Sequence, residues 1–197
     1  MKLKYLRRQP SKEGLVCNLS MFYGYSSTVV LGEYNVHDDS GNGYDGKTAS
    51  TPVPQYPGFA HKTAGNVGIN IGTGPTSVKT TALWIKPNDV AGTDSLIQLN
   101  GTDYLTVVTG TLTASIGGFL GGVSVKYVDG VAGTTLTANW HHIAITDTSA
   151  KNASVCRTGD VNSATLDGSI ADIRLYDRVL TADEMKSLYD LTKCRYS

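Results

Sequence analysis

The sequence predicts an all-β fold of short strands followed by one short C-terminal helix. Only 17% of the 197 residues are charged, 22 residues are glycine, and serine and threonine crowd the segments between the apolar runs. This composition is typical of many strands joined by turns. The length favours a single domain, which we place at residues 14–197, after a basic arm at residues 1–13.

The strand signals are short alternating or apolar runs bounded by turn residues. A dense turn spans residues 38–46, and an extended loop with three prolines spans residues 50–58. On the last strand, strict alternation places Ala171, Ile173 and Leu175 on one face, and Asp172 with Arg174 on the other. We predict strands at residues 15–19, 66–71, 78–86, 95–99, 104–108, 112–116, 122–128, 140–146, 154–157 and 170–178.

The helix signal is a capping box. Thr181 is the predicted N-cap, and Glu184 lies three residues later. Met185, Leu188 and Tyr189 then form one apolar stripe, which should pack on the sandwich.

The charge balance excludes some partners. Seventeen Lys and Arg residues balance 17 Asp and Glu residues, so no long-range field attracts nucleic acid. No segment is apolar enough for membrane insertion. The basic residues of the arm favour a solvated segment, and the alternative is docking to an acidic partner.

The three cysteines, Cys17, Cys156 and Cys194, have no disulfide or zinc spacing. We therefore predict small buried thiols.

The first ten residues lack the apolar stretch of a signal peptide. We expect a virion location if the chain is phage-encoded, and otherwise a cytoplasmic protein or one exported by a route that the sequence does not reveal.

Four stretches carry a family resemblance. They are the turn at residues 36–46, the tryptophan strand Thr-Ala-Leu-Trp-Ile-Lys-Pro at 81–87, the Trp-His strand at 139–146, and Leu-Asp-Gly-Ser-Ile-Ala-Asp-Ile-Arg-Leu-Tyr-Asp-Arg-Val-Leu at 166–180. Their order resembles the laminin G-like jelly-roll family, which is related to concanavalin A-like lectins and glucanases. The resemblance implies a two-sheet antiparallel jelly-roll sandwich, and it leaves the function to be argued from sites.

An enzyme is not expected. Glucanases of this fold present acids at alternate positions of one strand, and retaining hydrolysis needs two carboxyl groups about 5 Å apart. The three glutamates here are Glu13, Glu33 and Glu184, the last of which belongs to the capping box. A Ser-His-Asp triad stays open, although no Gly-x-Ser-x-Gly motif is present. Adjacent His141 and His142 should point to opposite faces of a strand and act structurally.

Calcium is the cofactor that the resemblance implies. Asp38 of the early turn and Asp172 of the last strand match acids of the family, and the side-chain oxygen of Asn42 would suit calcium as a further ligand. Ala171 departs from the pattern, because relatives often carry a second acid there. The alternatives are an Asx-turn at Asp38 and an ion pair of Asp172 with Arg174 or Arg178.

The aromatic residues suggest a ligand surface. The chain has 11 Tyr but only three Phe, and tyrosine combines an apolar ring with a polar end, as binding surfaces require. We predict ligand contacts by Tyr104, Tyr127, Tyr176 and Phe119, the last on a glycine-rich loop tip. Trp84 and Trp140 are predicted to belong to the core.

Two functional hypotheses remain. The first is a non-catalytic laminin G-like binding or adhesion module that binds carbohydrate, with a glycan or a protein surface as its partner. The alternative is a structural component of an assembled particle, such as a phage virion decoration, neck or tail protein, which contacts other virion proteins or itself. Glycan binding and oligomeric state discriminate between them.

Overall fold

A computed structural model describes residues 12–20, 26–30, 33–48, 53–55, 58–61, 68–115, 123–159 and 166–196. Most of the N-terminal basic arm, and Phe119, lie outside these residues. The strands are β1 Leu15–Leu19, β2 Ser26–Val30, β3 Glu33–Val36, β4 Gly46–Thr48, β5 Val53–Gln55, β6 Gly58–His61, β7 Ile69–Gly72, β8 Val78–Pro87, β9 Thr93–Gln98, β10 Tyr104–Val108, β11 Thr111–Ala114, β12 Ser124–Val128, β13 Val131–Ala132, β14 His141–Lys151, β15 Cys156–Thr158 and β16 Gly168–Tyr176. One helix, α1, spans Ala182–Thr192, and a 3-10 turn at Lys193–Arg195 follows it.

The strands form two antiparallel sheets, as the family resemblance implied. Sheet A has the order β13-β12-β14-β8-β16-β6-β5, and β1 also pairs with β16. Sheet B has the order β11-β10-β9-β15-β7-β4-β3-β2. One apolar core fills the space between the sheets. It includes Leu83, Ile85 and Ile143 of sheet A and Ile97 and Leu105 of sheet B, all fully buried.

A bulge in β16 corrects the predicted alternation of that strand. Ala171 pairs with Trp84 and Arg174 pairs with Ala82, so two residues of β16 oppose one residue of β8. Asp172 adopts a positive φ of 51° there. The extra residue shifts the side-chain period by one. Ile170 therefore joins the core, while Ala171 turns to the outer face of sheet A.

Helix α1 covers the outer face of sheet A. Thr181 caps it and accepts a hydrogen bond from the backbone N–H of Glu184, whose carboxylate accepts one from the backbone N–H of Thr181, so the predicted capping box is present. Arg178 donates two hydrogen bonds to the Glu184 carboxylate, at 2.7 and 2.9 Å. Met185 and Leu188 pack over alanines 82 and 144. These small side chains let the helix lie close to the sheet.

Two of the three cysteines are buried as predicted. Cys17 and Cys156 lie in the core, and burial raises the pKa of both thiols, that of Cys156 to about 12. Cys194 is exposed instead, because the 3-10 turn places it on the surface. Among the described residues, no helix has the length and apolarity needed to cross a membrane.

Candidate functional site

A row of polar side chains crosses the outer face of sheet B. Strand register places Tyr104 beside Gln98, Gln98 beside Arg157, Arg157 beside Asn70, and Asn70 beside Lys47. Directly paired residues of antiparallel strands project to the same face of a sheet. These five residues, which we call the polar row, therefore share one face.

The alternate positions show that this face points away from the core. Leu105 pairs with Ile97, and Ile69 pairs with Thr48. All four of these side chains are buried, and the three apolar ones belong to the core between the sheets. Because side chains alternate along each strand, the polar row faces outward.

The polar row is long enough to contact an extended ligand. It crosses five neighbouring strands, about 4.8 Å apart, so it spans about 19 Å. Lys47 and Asn70 are exposed, Arg157 and Tyr104 are half-buried, and Gln98 lies buried between its two neighbours. Because Gln98 is 1% exposed, the accessible groups of the row are two cationic side chains, one amide and one aromatic ring.

Tyr104 is held at the start of β10 by a tight loop. The side-chain oxygen of Asn100 accepts hydrogen bonds from the backbone N–H groups of Thr102 and Asp103. The Tyr104 backbone N–H donates to Ser115 Oγ at 3.2 Å. These contacts fix the backbone of Tyr104, so its ring projects from a rigid strand end.

The row carries positive charge. Lys47 and Arg157 flank Asn70, one strand away on either side. Asp94 of β9 pairs with Val107, whose side chain faces the core. Its carboxylate is therefore on the opposite side of the sheet from the row.

Two of the predicted ligand-binding tyrosines are packing residues instead. Tyr176 is 1% exposed and Tyr127 is 7% exposed. Both lie on the outer face of sheet A beneath helix α1, in contact with the cluster of Met185 and Leu188. The helix removes them from solvent, so neither can contact a ligand in this arrangement.

The early turn does not fit a calcium site. The Asp38 carboxylate is 1% exposed and accepts hydrogen bonds from the backbone N–H groups of Asn18, Ser40 and Tyr44 and from the Ser40 hydroxyl, at 2.8 to 3.0 Å. A carboxylate has about four lone-pair sites, and all are occupied. The bond from the Ser40 N–H makes this an Asx-turn. Asn42 donates from its amide to the backbone oxygen of Val16.

Asp172 does not fit such a site either. Arg174 donates three hydrogen bonds to its carboxylate, at 2.9 to 3.1 Å, and both side chains are buried. A buried guanidinium beside the carboxylate repels a second cation. The carboxylates of Asp38 and Asp172 thus bind protein groups, and no cluster of three acids, histidines or cysteines suited to a metal occurs in the part of the chain that the structure describes.

The two adjacent histidines point to opposite faces, as predicted. His141 Nδ1 lies 2.8 Å from Asp129 Oδ2, and its Nε2 accepts a hydrogen bond from the backbone N–H of Thr137. His142 lies beneath α1, 5.4 Å from the Trp84 ring. Burial lowers the pKa of His142 to about 3. Both histidines therefore have structural surroundings.

Trp84 is buried as predicted, whereas Trp140 is only partly buried. Trp84 is 3% exposed, stacks on Tyr196 at 4.3 Å, and donates from its indole N–H to Thr192 Oγ1 at 3.0 Å. The Trp140 ring lies 4.9 Å from the Tyr196 ring, at a tilt of 51°. The aromatic cluster thus attaches the C-terminal segment to sheet A.

Among the members of the polar row, only Tyr104 was a predicted site residue. Asn70 between Ile69 and Ile71 is a visible signal of an outward polar position. Its neighbours Arg157 and Lys47 lie 87 and 23 residues away in the chain, so only the strand order brings them together.

Comparison with known proteins gives structural matches alone. No family model and no curated protein sequence matches. A sialidase from Trypanosoma rangeli aligns over 91% of this chain with a TM-score of 0.60 and 14% identity, and the chain spans 33% of that protein. Domain 4 of AbnA, a GH43 extracellular arabinanase from Geobacillus stearothermophilus, solved with arabinotriose, aligns over 91% of this chain and 100% of that domain, with a TM-score of 0.58 and 15% identity.

A third match is botulinum neurotoxin type C, from a structure titled for its interaction with two ganglioside molecules. It aligns over 91% of this chain and 51% of that one, with a TM-score of 0.53 and 10% identity. At these identities the matches show the fold alone. The chain is thus a two-sheet antiparallel β-sandwich of the jelly-roll-like kind, and its narrower assignment to the laminin G-like family stays a prediction.

Proposed function

We propose that this protein is a non-catalytic carbohydrate-binding module, and that the polar row on the outer face of sheet B is its binding surface. The observation that carries the proposal is the line of accessible cationic, amide and aromatic side chains across these strands, with the buried Gln98 between Tyr104 and Arg157. Oligosaccharides present hydroxyl groups along a chain, and a line of planar polar groups beside an aromatic ring matches that pattern.

The structural matches support the same class of ligand. The arabinanase domain was solved with arabinotriose, and the neurotoxin structure concerns gangliosides. Both names refer to sugars, on proteins that share this fold. Fold alone does not fix a function, so the proposal depends on the row itself.

A glycan array tests the proposal directly. We expect the protein to bind a subset of glycans, and we expect Tyr104→Ala to weaken that binding about tenfold, or about 1.4 kcal/mol, by removing the ring. Trp140→Ala is the matched control, because it removes another half-buried aromatic ring in the other half of the sandwich. No binding to any glycan at high protein concentration, or equal losses in both variants, would refute the proposal.

The particle-component hypothesis stays a prediction. Light scattering after size-exclusion chromatography tests it. A defined oligomer is the expected result if the chain assembles, and a monomer at all concentrations counts against it.

A further inference from the structure

We infer that the polar row prefers carboxylated saccharides, with Arg157 as the residue that binds the sugar carboxylate. This inference rests on the proposed function, since it names the ligand class of the same surface. The row carries net positive charge, from Lys47 and Arg157.

The two cations of the row stand on either side of one amide. Lys47, Asn70 and Arg157 are cross-strand partners on three adjacent strands. At about 4.8 Å per strand, the two cationic residues lie about 10 Å apart. The side chains of the row include no acid, so an anionic ligand meets no repulsion from it.

Strand register explains why no acid faces the row from β9. Asp94, the charged residue of that strand, pairs with Val107 and projects toward the core side. The β9 residue that does belong to the row is Gln98, an uncharged amide. Strand β9 thus adds no negative charge to the row. Two residues before Lys47, the exposed Asp45 carboxylate lies 3.1 Å from His37 Nδ1.

Arg157 is the better carboxylate ligand of the two. A guanidinium has five N–H donors in a planar fork that matches the two oxygens of a carboxylate. Arg157 is half-buried, so water screens its charge less than it screens that of exposed Lys47. Both residues also have interactions within the protein.

Asn70 has a supporting position between the cations. Its side-chain oxygen accepts a hydrogen bond from the backbone N–H of Gly72 at 2.8 Å. This bond fixes the amide plane and directs the NH₂ group away from Gly72. A sugar whose carboxylate lies on Arg157 would present its ring hydroxyls over Asn70 and toward Lys47.

The test compares acidic saccharides with neutral forms of the same skeleton. The probes are sialylated and uronate-containing oligosaccharides, each beside its carboxyl methyl ester, measured by array and then by calorimetry. We expect the acids to bind at least about tenfold more tightly than their esters. We also expect Arg157→Gln to remove that difference, and higher salt to weaken the binding of the acids.

Two further variants make the result specific. Arg157→Lys keeps the charge but loses the planar fork, so it should retain part of the salt dependence and lose most of the preference for the acids. Lys86→Gln is the matched control, because it removes one exposed positive charge from the other sheet. Its affinity should equal that of the unmodified protein.

The outcomes separate the two proposals. Equal binding of acids and esters, unchanged in Arg157→Gln, overturns the preference for carboxylates and leaves the carbohydrate-binding function standing. Binding of neither form by the folded protein overturns both. Equal losses in Arg157→Gln and Lys86→Gln would show a general charge effect, and would overturn the assignment of Arg157.

Discussion

The buried ion pair at the β16 bulge offers a sharp test of the fold. Asp172 and Arg174 are linked by three hydrogen bonds of 2.9 to 3.1 Å. Their side chains are 1% and 7% exposed, and Arg195 lies 3.8 Å from the same carboxylate. The substitution Asp172→Asn removes the negative charge with almost no change of shape. Asparagine tolerates positive φ as well as aspartate does, so the bulge itself is not strained further.

The magnitude follows from the burial of Arg174. Removing one partner of a buried ion pair costs about 3 to 5 kcal/mol, because the other charge stays buried without compensation. The asparagine oxygen still accepts one hydrogen bond, so we take the lower end, about 3 kcal/mol. For a domain of this length, 1 kcal/mol shifts the midpoint of thermal unfolding by about 2 to 4 °C. The expected decrease is therefore about 6 to 12 °C.

The assay is urea and thermal unfolding followed by circular dichroism. Asp183→Asn is the control, since it makes the same chemical change at an exposed position of the first helical turn, where a charge contributes only about 0.3 to 1 kcal/mol. A loss below about 1 kcal/mol in Asp172→Asn, or a loss equal to that of the control, would show that the pair does not stabilise the bulge.

Three further predictions concern pH, helix capping and calcium. Burial holds the pKa of His142 at about 3, below the value of about 6.5 in an unfolded chain. The unfolded state therefore binds the extra proton below pH 6.5, and stability should fall by about 2 kcal/mol between pH 7 and 5. The fall should be smaller in His142→Gln, and an identical pH dependence in both proteins would contradict the assignment. Thr181→Ala should cost about 1 kcal/mol by removing the N-cap, as measured by urea unfolding, whereas the exposed Ser187→Ala should have a much smaller effect. Chelation should leave the unfolding midpoint unchanged, because Asp38 and Asp172 bind protein groups. If free calcium were present at 100 times the dissociation constant of a site, its binding would add about 2.7 kcal/mol to the free energy of unfolding. A decrease of several degrees in the unfolding midpoint on chelation would therefore restore the calcium hypothesis.

The helix shows how much local sequence can specify. Thr181 and Glu184 are three residues apart, and the capping box forms from those two side chains and their own backbone. Tyr104–Val108 likewise forms the strand that its apolar pattern predicts. Both signals depend on neighbours in the chain, so no tertiary information was needed.

Local sequence failed at β16 for a physical reason. Its alternation of apolar and polar residues predicts an unbroken strand, but the bulge at Asp172 reverses which face Ile170 and Ala171 occupy. At the bulge, two residues of β16 lie opposite one residue of β8. This mismatch depends on how the two strands pair, and the sequence of β16 alone does not specify that pairing.

The candidate site failed in the same way. Tyr176 and Tyr104 were both predicted as ligand contacts, and each lies in a predicted strand. Helix α1 buries the first, while the second stays half-exposed on sheet B. Which tyrosine can contact a ligand was decided by what packs over each sheet.

The sequence by itself determined the all-β class, the capped C-terminal helix and the opposite orientation of the two adjacent histidines. These properties follow from composition, periodicity and short-range hydrogen bonds, whereas the antiparallel sandwich was implied by the family resemblance. Only the tertiary structure decided which outer face is open and which polar side chains meet there. Arg157, Asn70 and Lys47 are distant in the chain and adjacent in sheet B, because strand order sets neighbours across a sheet independently of their separation in sequence.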